Sequence, residues 1–271
     1  MGLSLTEVVL AFRPAVECAA NGHCHVRHEV RGMNLRNGPP KGGLYVLLAA
    51  LLAIAMPRAA DGVLAQVDHL VYTVPDLQQG IDAAEKLFGV RATPGGQHPG
   101  LGTRNALIAL GPASYLEIIG PDPDQPKPAG PRRFGIDDLK APHLLTWVAK
   151  GTSLETFAAD AKAHGIDLGA VIPGSRKRPD GVVLKWTYTD PQTVLADRLI
   201  PYFIDWDSSP HPSATAAKGV TLVALRAEYP DPEKVQKMLK QLGLELVVTR
   251  GPKPSIIATF DSPKGKVELK S

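Results

Sequence analysis

The sequence predicts an α+β fold of repeated βαβββ modules, in which mixed β-sheets curl and carry their helices on the outside. Three stretches each combine a strand rich in β-branched or aliphatic residues with an amphipathic helix that stops at a glycine. These glycines, Gly89, Gly165 and Gly243, lie 76 and 78 residues apart, and each is followed by room for three short strands. A repeat of this length indicates three copies of one structural unit.

The first unit begins with the strand VDHLVYTVPD at residues 67–76. Because strand side chains alternate, His69 shares a face with the residues two and four positions later. Asp76 is the predicted cap of a helix from Leu77 to about Phe88. A later strand, residues 115–122, carries a glutamate, Glu117, near its middle.

The second and third units follow the same order. Unit two opens with the strand at residues 142–148, followed by a helix that a capping box of Thr152 and Glu155 introduces. Unit three opens with the strand at residues 220–226, and its helix begins at Pro232.

Two linkers divide the chain into the predicted domains. Residues 121–142 contain five prolines before the next strand and are expected to run over the surface, and residues 208–218 form a polar linker. The predicted divisions are an upstream segment (1–65), a domain of two modules (66–207, with modules at 66–120 and 142–207) and a third module (219–271). The apolar sheet face of the third module is expected to pack against the same chain or across a homodimer.

The upstream segment predicts export to the periplasm or the exterior. Residues 1–32 show no core pattern, and their Cys and His residues fit no standard zinc finger, so an upstream extension is favoured. Arg36 and Lys41 then precede an uncharged apolar run at residues 42–56, which suits a signal peptide cleaved after Ala65. A retained membrane anchor is the alternative, and it would be the only membrane contact.

Charge and cysteine content exclude other classes. Removing residues 1–65 leaves 24 Lys/Arg against 23 Asp/Glu, which gives no electrostatic case for a nucleic-acid partner. Both cysteines lie in the removed segment, so the remainder needs no disulfide and contains no cysteine nucleophile.

The early-strand His69, the mid-strand Glu117 and the string GGQHPGLGTRN at residues 95–105 resemble the vicinal-oxygen-chelate superfamily, which contains glyoxalase I and extradiol dioxygenases. The string is similar to that of the glyoxalase-like domain branch. The resemblance covers about residues 66–270 and implies βαβββ modules that curl into a cup around a metal ion.

Aligning unit two on unit one through PHL and DHL places His143 at the position of His69, and aligning the last strands places Asp205 at that of Glu117. The resemblance implies that His69, Glu117, His143 and Asp205 hold a divalent ion, of which Zn, Ni, Fe and Mn are candidates. Asp205 is one methylene shorter than the family's glutamate, so it is a ligand either directly or through water. Glu117 and Asp205 are the candidate catalytic carboxylates. The alternative for each residue is an ordinary structural role.

Further residues are candidates for binding a small-molecule substrate. In the string, His98, Arg104 and Asn105 can orient an anionic or carbonyl group. Trp147 is expected on the face of His143, and Arg178 in the basic turn SRKRPDG is a second candidate anion contact. The alternative is that both arginines face solvent. The string PHP at residues 210–212 also resembles the family but alone indicates only a rigid loop.

The resemblance implies a metal-dependent enzyme of lyase or isomerase type that acts on a small oxygen-rich substrate. The ion would stabilise an enolate, and a carboxylate would move the proton. Export argues against a glutathione thioester substrate, which is cytosolic. Two alternatives stay open: an Fe(II) dioxygenase with His69, His143 and Glu117 as its triad, and a non-catalytic protein that sequesters a ligand.

The predicted signal peptide has a direct test. N-terminal sequencing of the protein from its native host is expected to read from Gln66. A mature chain that starts at Met1 and stays in the cytoplasm would contradict the prediction.

Overall fold

A computed structural model describes residues 15–18, 24–27 and 59–271 of the chain. The first two segments are short strands, β1 (Ala15–Cys18) and β2 (Cys24–Arg27), which pair antiparallel in a region where no element was predicted. The apolar run at residues 42–56 lies outside the described residues. Within those described, no helix is long and apolar enough to cross a membrane.

Helix α1 (Ala59–Gln66) leads directly into the first module. Its Val63 side chain is buried in the main core, and the predicted cleavage point after Ala65 falls inside this helix. The signal peptide stays a prediction.

Each module has the predicted order of one strand, one helix and three strands. The elements of the first are β3 (Val67–Thr73), α2 (Leu77–Phe88), β4 (Thr93–His98), β5 (Thr103–Gly111) and β6 (Ser114–Pro121). Those of the second are β7 (His143–Lys150), α3 (Leu154–Ala163), β8 (Val171–Lys177), β9 (Val183–Thr189) and β10 (Tyr202–Asp205). Those of the third are β11 (Thr221–Tyr229), α4 (Pro232–Gln241), β12 (Val247–Arg250), β13 (Ser255–Ser262) and β14 (Gly265–Lys270). Three 3-10 helices lie in the connections, at Arg133–Asp138, Ala196–Arg198 and Pro212–Ala214.

The helix signals in the sequence correspond closely to the helices of the structure. Asp76 caps α2, its carboxylate accepting the Gln79 backbone N–H at 2.8 Å, and Gly89 ends the helix with φ +76°. Helix α3 differs, because its N-cap is Ser153 in a left-handed conformation with no side-chain hydrogen bond, so the predicted capping box is wrong.

Modules one and two share one closed barrel in the order β10-β7-β3-β6-β5-β4-β8-β9. The two halves meet at two seams. At one seam β3 and β7 pair antiparallel from Val67 to Thr73, whereas at the other β4 and β8 share only the pair Gln97 and Lys177. The predicted fold class, with curled mixed sheets, is therefore confirmed.

The third module forms a separate four-stranded sheet in the order β12-β11-β13-β14. One sheet face is apolar and belongs to the same core as the barrel's outer side, and Phe260 meets Phe88 of α2 edge to face at 5.2 Å. The other face carries ion pairs such as Arg226 with Glu268. The apolar face is thus covered by the same chain.

The proline-rich linker does more than cross the surface. Its 3-10 helix buries Ile136, while Arg133 and Phe134 line the barrel cavity. The expectation of a surface linker is wrong for this part, because the linker supplies cavity wall.

Phe260→Ala tests the contact between the third module and the barrel. The substitution removes a fully buried ring and is expected to lower the free energy of unfolding by about 3–5 kcal/mol. Urea denaturation measures the change, and Val247→Ala, at a side chain 44% exposed, is the control with a change within about 0.5 kcal/mol. A Phe260→Ala protein as stable as the control would show that the third module contributes little to the core.

Candidate functional site

The candidate site lies inside the barrel, where two neighbouring strands direct alternate side chains inward. β3 and β6 are parallel, with His69 beside Tyr115 and Val71 beside Glu117. The His69 ring stacks on Tyr115 with their centroids 4.6 Å apart. The predicted face of β3 is therefore the inner one, and it brings His69 and Glu117 to the same side of the sheet.

Glu117 is the centre of a buried polar group. Its Oε1 accepts a hydrogen bond from Asn105 Nδ2 at 2.6 Å and lies 3.8 Å from His98 Nε2. Its Oε2 faces His69 Nε2 at 3.9 Å, beyond hydrogen-bond distance. Tyr202 of module two brings its hydroxyl to 3.4 Å from the same His69 nitrogen.

A buried carboxylate behind the cavity holds His69 in place. Asp68 Oδ1 lies 2.7 Å from His69 Nδ1, while Oδ2 accepts Trp206 Nε1–H at 3.0 Å and lies 3.2 Å from His211 Nε2. Burial by itself raises the pKa of Asp68, but the hydrogen bonds from His211 and His69 outweigh it and lower the pKa to about 2. Asp68 is therefore ionised.

An ionised carboxylate only accepts hydrogen bonds, so the nitrogen of each histidine that faces Asp68 carries a hydrogen. His69 donates from Nδ1, which leaves its Nε2 free toward the cavity. His211 donates from Nε2 to the other oxygen of Asp68. Asp68 thus holds the His69 ring with its Nε2 edge toward the cavity.

Two arginines complete the cavity wall. Arg176 of β8 is buried, and Arg133 of the linker donates from Nη1 to the Tyr188 hydroxyl at 2.6 Å. Glu117 is the single carboxylate among the described side chains that line this cavity of about 80 Å³. That volume holds a small molecule or several waters.

The structure places four of the predicted site residues at the cavity. His69, Glu117, His98 and Asn105 all line it. His98 and Asn105 arrive from the predicted string because β4 and β5 form a hairpin around it. The roles assigned to these residues stay predictions.

His143 lies elsewhere, because the predicted alignment of the two modules is off by three residues. Strand β3 ends at Thr73 and its helix starts at Leu77, and strand β7 ends at Lys150 and its helix starts at Leu154. The corresponding positions of the two modules are therefore 77 residues apart, not 74. This spacing puts Thr146 at the position of His69. His143 is at the far end of β7, paired with Thr73, in a different surface pocket.

Asp205 is excluded by the alternation along β10. Tyr202 and Ile204 line the cavity, so Phe203 and Asp205 have the opposite orientation. The Asp205 carboxylate accepts the Asp207 backbone N–H at 2.9 Å and closes the following turn. Tyr202, paired with Val148 as Glu117 is paired with Val71, stands where the second carboxylate was expected.

Trp147 also faces away from the cavity. It pairs with Leu70, is fully buried in the core between barrel and helices, and donates its Nε1–H to the Leu199 carbonyl at 2.9 Å. Its predicted substrate contact is wrong, because the shifted alignment reverses its face.

The predicted arginines are engaged outside the cavity. Arg104 lies between the inward Thr103 and Asn105 and therefore points outward, where it contacts Asp124 at 3.2 Å. Arg178 pairs with Asp180 in the turn after β8. The alternation of side chains along β5 could have predicted from the sequence that Arg104 points outward. The cavity arginines, Arg133 and Arg176, were missed because the sequence does not reveal which part of a linker or basic strand faces inward.

The donor set does not fit the predicted metal centre. Module one offers His69 and Glu117, whereas module two offers Thr146 and Tyr202 at the matching positions, and the amide hydrogens of Asn105 occupy one oxygen of Glu117. Across residues 59–271, no three His, Cys, Asp or Glu side chains are grouped to hold an ion. The four-ligand set is therefore wrong, and with it the dioxygenase triad that needs His143.

The comparisons with known proteins agree with the fold. Residues 67–243 match the family described as "Glyoxalase-like domain", which covers more than half of the chain. The chain belongs to this glyoxalase-like domain family. The family is part of the vicinal-oxygen-chelate superfamily, as the sequence predicted. No curated protein matches the chain significantly.

Solved structures are similar to parts of the chain. A hypothetical protein from Staphylococcus aureus is 13% identical, with a TM-score of 0.49, over 75% of this chain and 84% of that one. Methylmalonyl-CoA epimerase from Mycobacterium tuberculosis is 15% identical, with a TM-score of 0.37, over 60% of this chain and 98% of that one.

The buried His98 offers a test of the cavity's electrostatics. Burial lowers the pKa of His98 to about 4, and the charges of Arg176 and Arg133 add to this, while Glu117 opposes it. The ring is expected to stay neutral from pH 8 to pH 5, so its Cε1–H signal in a ¹H–¹³C NMR titration should not move. A midpoint near the unperturbed value of about 6.5 would contradict this picture.

The same pKa sets the sign of a stability effect. An unfolded chain binds a proton at His98 below about pH 6.5, whereas the folded chain does not until about pH 4. His98 therefore lowers the free energy of unfolding as the pH falls from 6.5 to 4.

Proposed function

We propose that this protein is an enzyme of lyase or isomerase type that binds a small oxygen-rich molecule in the barrel and moves a proton at a carbon beside a carbonyl group. The observation that supports this proposal is Glu117, a buried carboxylate aimed into a cavity that contains no other carboxylate among the described residues. Glu117 is proposed as the proton acceptor.

The surrounding groups suit the charge that such a step creates. When the carboxylate takes the proton from carbon, the electron pair of that C–H bond moves toward the carbonyl oxygen. Burial raises the pKa of Tyr202 well above its usual range, so its hydroxyl stays protonated and can donate to this oxygen. Return of the proton to a carbon atom would complete an isomerisation, and loss of a leaving group would complete a lyase reaction.

His69 contributes from the side of Glu117. Its free Nε2 lies between the Glu117 carboxylate and the Tyr202 hydroxyl, and Asp68 fixes its orientation. His69 Nε2 is proposed to accept a hydrogen bond from the Tyr202 hydroxyl, and this hydroxyl is proposed to turn to the carbonyl oxygen of the substrate during the reaction. Asp68 is then a positioning residue.

The cellular setting is also a proposal. The predicted signal segment favours an exported protein, and such a location would favour substrates that occur outside the cytoplasm. A homodimer stays a separate proposal. It is not needed to cover the apolar face of the third module, because that face packs within the same chain.

The test is deuterium exchange into small carbonyl compounds. The purified protein is incubated in D₂O with a panel of 2-oxo acids and 1,3-dicarbonyl compounds, and ¹H NMR follows loss of the C–H signal next to the carbonyl. Glu117→Gln removes the proton acceptor and is expected to slow exchange by about 100-fold or more.

Asp205→Asn is the matched control, because it neutralises a carboxylate of the same barrel that faces away from the cavity. It is expected to exchange like the unmodified protein. If Glu117→Gln also exchanges like the unmodified protein, Glu117 is not the acceptor. If compounds bind and none exchanges, the sequestering protein is the better description.

A further inference from the structure

The side chain of Arg176 is a buried cation without a matching anion. Arg176 is only 3% exposed, and among the described side chains, residues 62–271, no carboxylate oxygen lies within 4.0 Å of its guanidinium. Its one side-chain hydrogen bond goes from Nη1 to Asn105 Oδ1, at a long 3.4 Å. Burying a charge without a partner is costly, so the site must gain from it in another way.

Two glycines of β4 make the space that Arg176 occupies. A Cβ on Gly95 would lie 2.5 Å from Arg176 Nη1 and 2.2 Å from Asn105 Oδ1. A Cβ on Gly96 would lie 3.2 Å from Arg176 Cγ and 2.4 Å from the Lys177 carbonyl oxygen. The first two residues of the string GGQHPGLGTRN thus carry no side chain where β4 contacts the Arg176 side chain.

The rest of the cavity has a positive balance. Arg133 also lines it, and its Nη1 bonds only the neutral Tyr188 hydroxyl. Glu117 supplies a single negative charge, and His98 is neutral because burial lowers its pKa to about 4. Among the side chains that line the cavity, two guanidinium groups accompany one carboxylate, which gives the cavity wall a net charge of about +1.

We propose that Arg176 is the anchor for a carboxylate group, and that the ligands of this cavity are small carboxylic acid anions. The planar fork of a guanidinium matches a carboxylate with two parallel hydrogen bonds. The acid group would take up the charge of Arg176 and leave Glu117 free to act on the neighbouring carbon. Only the role of Glu117 in this inference rests on the proposed function, because binding of the anion by Arg176 does not need proton transfer.

The test is calorimetric binding with four probes: oxalate, malonate, uncharged malonamide and inorganic phosphate. At least one of the two carboxylates is expected to bind the unmodified protein, while malonamide does not and phosphate binds more weakly. Arg176→Gln is expected to weaken carboxylate binding by about 10- to 100-fold, the range for a charge-assisted pair. Arg176→Lys keeps the charge but loses the planar fork, so its affinity for carboxylates should lie between those of the unmodified protein and Arg176→Gln.

Arg178→Gln is the matched control, because Arg178 is two residues away and already paired with Asp180. Its binding is expected to equal that of the unmodified protein. Gly95→Ala keeps the cation but crowds both Arg176 Nη1 and Asn105 Oδ1, and it should weaken binding even if Arg176→Gln fails to fold.

The proposal is overturned if neither carboxylate binds, if phosphate or malonamide binds as tightly as the better of them, or if Arg176→Gln folds and binds like the unmodified protein. Carboxylate binding that depends on Arg176, together with unchanged deuterium exchange in Glu117→Gln, would support the anchor and contradict the proposed base. The two proposals therefore fail separately.

Discussion

The site depends on the antiparallel pairing of β3 with β7, the first strands of the two barrel modules. This pairing sets Leu70 against Trp147 at the centre of the seam, and both side chains fill the core outside the barrel. Their neighbours must then point inward, which is why His69 reaches the cavity. A shift of β3 by one residue would turn His69 out of the barrel and Leu70 into it, so hydrophobic burial on one face fixes the polar chemistry on the other.

Most of the fold could be predicted because its signals are local. The Asp76 cap, the glycine stops and the apolar spacing of the helices depend on neighbours within a few residues, and α2 and α4 begin where the sequence indicated. The inward orientation of His69 and Glu117 could also be predicted, because side chains alternate along a strand and both residues lie on the same face. Aligning PHL on DHL, a match of only two letters, rather than aligning the starts of α2 and α3 produced the error at His143.

The remainder of the site could not be predicted, because it is made by contacts between distant segments. Asp68 receives Trp206 and His211 from the loop after module two, and Arg133 comes from a linker with no periodic pattern. Tyr202 follows a connection whose residues 196–198 all have positive φ, a conformation that residues other than glycine rarely adopt in succession. Only the assembled barrel shows which of these groups meet.

The uneven seams of the barrel have a mechanical consequence. β3 and β7 pair along their length, whereas β4 and β8 share one residue pair, so the second seam is where the cylinder has the fewest backbone bonds to hold it shut. Arg176 belongs to β8, while Asn105 and Glu117 belong to the other half of the barrel. A ligand whose carboxylate binds Arg176 and whose neighbouring carbon meets Glu117 would bridge the weak seam, so that ligand occupancy and closure of the barrel would be thermodynamically linked.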